Sequence, residues 1–183
     1  MTEITDNLTT AVKTAMDEIR RGLVKELHAQ GHHLTGALER SIQYEVRREA
    51  GRVTAIMTAN DYGIFMEFGV PASRIPYGGK RRGGGGGKSK YIQGLVRFFE
   101  LRGVHGREAL SAAFATARKQ KREGMPTRGS YAFSSNNRRT GFVRNTLEQY
   151  LPKITEIVGR EAGAVVDLVI AETIKLEPYR IAV

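Results

Sequence analysis

The stretch Asn60-Asp61-Tyr62-Gly63-Ile64-Phe65-Met66-Glu67-Phe68-Gly69-Val70-Pro71 constrains this chain most. It crowds large apolar side chains around one carboxylate, Glu67, and then stops at a glycine and a proline. Before it the sequence reads as a compact helix-plus-hairpin unit. After it comes a long, glycine-rich, basic excursion that something must anchor. The aromatic knot is the expected anchor: its apolar residues should lock the hairpin to the helices, and Gly69-Val70-Pro71 should release the chain into the excursion.

Charge separates the same two parts. Residues 71–140 hold 16 Lys/Arg against 3 Asp/Glu, a net of +13, which leaves 13 against 16 elsewhere, a net of −3. All the excess positive charge lies in one continuous segment. The 183 residues suit one domain carrying a large insertion, so residues 1–70 plus 141–183 form the expected core domain and 71–140 the basic arm. With no cysteine, disulfide scaffolds and thiolate metal sites are excluded. The polar, acidic start is unlike a secretory signal peptide. No apolar run approaches the ~20 residues of a membrane span, and no membrane partner is expected.

The elements follow from periodicity. Ile4, Leu8, Val12, Ala15, Met16, Ile19, Leu23, Val24 and Leu27 recur at three- and four-residue steps, predicting an amphipathic helix that Gly31 ends. Thr35 is a candidate cap for a short helical turn carrying Leu38. Ile42, Tyr44 and Val46, then Val53, Ala55 and Met57, alternate with polar residues about a turn at Glu49–Arg52, predicting an antiparallel hairpin. In the excursion, Gly83 to Gly87 cannot specify a single backbone conformation. Tyr91, Leu95, Val96 and Phe99 predict one short helix, and Ala109, Leu110, Ala113, Phe114 and Ala117 another. Thr127 to Thr140 reads as a second irregular, basic strap. From about Gly141 a last helix should run towards Lys175, restarting or kinking at Pro152. The fold class is α+β.

Catalytic and cofactor signals are weak. Gly87-Lys88-Ser89 resembles the end of a phosphate-binding loop, but Arg82 stands where its first glycine belongs and no buried strand precedes it. His28, His32 and His33 surround a helix stop, with Glu26 as the nearest carboxylate, short of a four-ligand zinc site. Glu67 is the one carboxylate in the most apolar stretch and a formal acid–base candidate. With no partner His or carboxylate near it in sequence, a structural role paired with a basic residue of the arm is the better reading. The expectation is a protein without catalysis, cofactor or metal. The basic arm, comprising Arg74, Lys80, Arg81, Arg82, Lys88, Lys90, Arg118, Lys119, Lys121, Arg122, Arg128, Arg138 and Arg139, is suited to neighbouring protein or to phosphates. Its aromatic residues could stack on bases or pack on a neighbour.

Two stretches carry a resemblance. Thr35-Gly36-Ala37-Leu38 with Ser41 and Ile42 leads into the hairpin, and Tyr62 with Glu67-Phe68-Gly69 follows it; a helix ending in Gly124-Met125-Pro126 comes later. In this order the chain resembles the tail-completion, minor tail and neck proteins of long-tailed double-stranded DNA bacteriophages. The resemblance covers most of the chain, and the five-glycine run points to an enlarged arm. It implies a virion structural protein made in the host cytoplasm and assembled as a homo-oligomeric ring, a hexamer, at the head–tail joint. Its partners would be tail tube, tail terminator or connector proteins, with non-specific contact to packaged DNA also open. Thr35, Gly36, Leu38, Ile42, Tyr62, Glu67, Phe68 and Gly69 would be the fold and assembly motif. The alternative is a basic nucleic-acid-binding protein that contacts phosphates through residues 71–140.

Overall fold

A computed structural model describes residues 2–49, 52–78 and 89–162. The chain is mixed helix and sheet, mostly helical, with one two-stranded antiparallel hairpin, compatible with the α+β class. The principal packing is α1 (Thr2–Ala29) against α6 (Phe142–Ala162). The α1 stripe is inward as the periodicity requires: Val12, Ala15, Met16, Ile19, Leu23 and Leu27 are buried with Leu38, Ile42, Phe142, Ile154 and Val158. Each large side chain so buried contributes ~1.5–3 kcal/mol. The helices approach closely at Gly22, where a Cβ would lie 2.8 Å from both Thr146 Cγ2 and the Tyr150 ring.

α1 stops by a glycine-terminated motif. Gly31 has φ +72°, its N–H donates to His28 O at 2.9 Å, and His32 N–H donates to Leu27 O at 2.8 Å. The short helix α2 (Ala37–Ser41) buries Leu38. Thr35 does not occupy its cap position, which falls to Gly36; the Thr35 hydroxyl accepts only a long 3.4 Å bond from Ala37 N–H. β1 (Gln43–Glu49) and β2 (Arg52–Thr58) pair from Gln43↔Thr58 to Glu49↔Arg52. Tyr44, Val46, Val53, Ala55 and Met57 pack on the α1 core, the alternation expected. Among the described residues neither strand has a second partner.

The knot itself is a helix, α3 (Tyr62–Phe68). Beyond it, α4 (Lys90–Glu100) and α5 (Gly106–Glu123) form an antiparallel pair with its own small core of Ile92, Ala113 and Ala117, flanked by Tyr77, Tyr91, Leu95 and Phe99. Alanines on α5 let the two backbones come near, so the excursion includes a folded layer. α6 runs through Pro152 as one helix instead of restarting there. The part of the last helix expected past Ala162, and the glycine run with Lys80, Arg81, Arg82 and Lys88, lie outside the described residues.

Candidate assembly surface

The role of α3 follows from what holds it. α6 begins at Phe142, so Gly141 sits at its cap position with no side chain to satisfy the first free N–H groups. Glu67 supplies that cap from another helix. Its Oε2 accepts Val143 N–H at 2.8 Å and its Oε1 accepts Arg144 N–H at 3.3 Å, while its carbonyl accepts Gly141 N–H at 2.8 Å. A carboxylate there also meets the positive end of the helix dipole. The expected partner, a basic residue of the arm, is thus replaced by backbone of the last helix.

The other end of α3 is stitched to the point where the excursion returns. Val70 and Met125 exchange two backbone hydrogen bonds of 2.7 Å, N–H to carbonyl in each direction. Gly69, at φ +71°, permits this crossing; a Cβ would lie 2.4 Å from Met125 O. Departure and return of residues 71–124 therefore meet at one two-residue bridge. Lys121 Nζ tightens the same region by donating to Ile75 O at 3.0 Å.

The strap, residues 127–140, turns back over the end of α1. Ser135 N–H donates to Ala29 O at 2.8 Å, and the fully buried Gln30 side chain donates to Thr140 O at 3.0 Å. Glu26 Oε1 collects the side-chain amides of Gln30 at 2.9 Å, Asn136 at 3.0 Å and Asn145 at 3.1 Å. His32 Nε2 reaches Arg139 O at 3.0 Å. Burial of His32 pulls its pKa below the ordinary value; the backbone bond to Arg139 opposes this, and the Arg139 and His33 charges add to it. Arg139, counted with the basic arm, is half-buried here, and its Nη1 donates to Gln30 O.

With α3 clamped at both ends, its aromatic residues do not lock the hairpin as expected. Only Gly63 is buried and Met66 packs on the core. Tyr62 and Phe68 are 52% and 59% exposed, with Phe65 also exposed and set edge-on to Tyr62. The strap adds Phe133, 67% exposed, and Tyr131. Thr35 is exposed, whereas Leu38 and Ile42 are core residues, so the motif divides into residues that hold the fold and rings that face outward.

The basic residues also divide. Arg74, Lys90, Arg118 and Arg138 are exposed, with no carboxylate pairing among the described residues. Arg122 pairs with Glu123 at 3.3 Å, and Glu123 also accepts Arg128 N–H at 3.1 Å. Lys119 is half-buried beside Gly129. Sequence reasoning missed the hub at Glu26, whose only local signal is Gln30 one turn later, and missed Tyr131, Arg144 and Asn145 as lining of a common cavity. Among the described residues no group of three His, Asp or Glu side chains could hold a metal ion, and no helix is long and apolar enough to cross a membrane. No protein family, curated protein or solved structure matches the chain.

Proposed function

We propose that this protein is a structural subunit of a bacteriophage virion. It would act in tail completion or head–tail joining, an α+β protomer of a homo-oligomeric ring that connects tail tube to connector without catalysis. One observation carries the reading: the Tyr62, Phe65 and Phe68 rings face outward from a helix clamped by Glu67 and by the Val70–Met125 bridge. A rigid platform that exposes clustered aromatics is the composition of an interface centre, because such rings bury large area at little entropic cost. The hairpin adds two strand edges that a ring can cover. Native mass spectrometry of the purified chain tests it. The expected result is a closed oligomer that Phe65→Ser/Phe68→Ser converts to monomer with helicity unchanged. A chain that is monomeric at every concentration and missing from purified particles refutes it.

A second reading, a phosphate-contacting nucleic-acid-binding protein, is favoured by the exposed, carboxylate-free Arg74, Lys90 and Arg118. It requires duplex affinity that falls steeply with salt and is lost in Arg81→Ala/Arg82→Ala. Affinity indifferent to salt or to those changes removes it.

A further inference from the structure

Between the strap and the start of α6 lies an open cavity of about 450 Å³, walled by Tyr131, Asn137, Arg138, Arg139, Arg144 and Glu148 among others. Three arginines and one glutamate are among the lining residues, a net side-chain charge of +2. None of the three arginines pairs with a carboxylate of the described residues. Arg139 Nε is buried with no hydrogen-bond partner, and an unmet buried donor is costly. Burial, with the Arg102 charge adding to it, pulls the Arg139 pKa below its ordinary value, yet a guanidinium remains charged at neutral pH. Three like charges, one on a residue with an unmet donor, therefore line one open space.

We propose that this cavity is a phosphate-binding site formed by Arg138, Arg139 and Arg144. Donor number decides for phosphate over carboxylate. A carboxylate brings one negative charge and two oxygens, whereas a phosphate group brings close to two charges and more acceptor oxygens at neutral pH. The unengaged forks of Arg138 and Arg144, with the donors Arg139 has left beyond its bond to Gln30 O and with Tyr131 and Asn137 also in the lining, exceed what one carboxylate can accept. The first N–H groups of α6 are already taken by Glu67, so the arginine side chains, not the helix end, make the site. The phosphate could come from a free polyphosphate or from a nucleic-acid backbone. The site stands independently of the ring reading.

Among the described residues the side chains of Arg138 and Arg144 make no hydrogen bond, and only their backbone N–H groups are engaged, so Arg138→Ala/Arg144→Ala removes the site without removing a strut. Calorimetric titration of the full chain with inorganic pyrophosphate should show saturable binding that weakens by roughly tenfold or more in that double variant. Arg118→Ala/Arg122→Ala, which removes equal charge elsewhere, should bind pyrophosphate as the parent does. Loss of labelled duplex DNA binding in the Arg138/Arg144 variant assigns the phosphate to a nucleic-acid backbone; its retention assigns it to a free polyphosphate. The proposal is overturned if pyrophosphate does not saturate, if both double variants bind it alike, or if tetraglutamate competes equally well, which would point to an acidic protein partner.

Discussion

Glu67→Ala isolates the most consequential contact of the fold. The substitution removes both acceptors of the α6 N-terminus, the 2.8 Å bond from Val143 N–H and the 3.3 Å bond from Arg144 N–H. Loss of a helix cap costs ~1 kcal/mol, within a range of about 0.5–2. Loss of the charge from the positive end of the dipole adds ~0.3–1 kcal/mol at a partly exposed site. The expected total is about 2 kcal/mol, which at this chain length lowers Tm by roughly 4–8 °C. Glu67→Gln keeps an acceptor oxygen and the side-chain length, so it should recover part of the loss.

Thermal melts followed by far-ultraviolet circular dichroism, for the parent and both variants at one protein concentration, measure this directly. The concentration must be fixed because any self-association would raise apparent stability. Hydrogen exchange then locates the effect: the amides of Val143 and Arg144 should lose protection before those in the middle of α1. A Glu67→Ala melt within about 1 °C of the parent would refute the capping argument, given the sensitivity above. So would a Glu67→Gln variant as unstable as Glu67→Ala, since the retained amide oxygen would then be contributing nothing.

Two further outcomes follow from contacts elsewhere. Gly69→Ala sets a Cβ 2.4 Å from Met125 O at φ +71°, so it should cost at least ~2 kcal/mol and open the Val70–Met125 bridge, read as new limited-proteolysis cuts on either side of it. The lowered pKa of His32 gives a pH dependence: below ~6.5 the unfolded chain takes up the proton first, so stability should decline as pH falls from there towards the folded pKa, and His32→Gln should flatten that part of the Tm–pH profile.

Much of the fold was legible because large apolar residues repeat with a clean period. The α1 stripe from Val12 to Leu27 and the Tyr44/Val46 and Val53/Ala55/Met57 faces of the hairpin are where a spacing of 3.6 or 2 places them. α3 was not legible in the same way. Seven residues make two turns, and Tyr62, Ile64, Phe65, Met66 and Phe68 surround the axis, so periodicity could not choose an inward face; packing chose Gly63 and Met66. The partner of Glu67 was hidden for a different reason. It is backbone 76 residues further on, and a backbone N–H leaves no trace in residue type. The anchoring of the strap on α1 was hidden because Glu26 is an ordinary helix-surface carboxylate until Asn136 and Asn145 converge on it.

The glycine at the α6 cap position leaves that helix dependent on a carboxylate carried by α3, which ties the orientation of α3 to the main α1–α6 packing. A cap supplied by a local Ser or Asp would stabilise α6 equally well without adding a side-chain tie between α6 and α3. The borrowed cap holds the outward rings of Tyr62, Phe65 and Phe68 in one position relative to the core, so docking a neighbour on them need not first immobilise their helix. Pre-organisation of that kind lowers the ordering cost of association. On the ring proposal, Glu67 is the residue that aims the aromatic face, and the clamp and the exposed rings are two halves of one device.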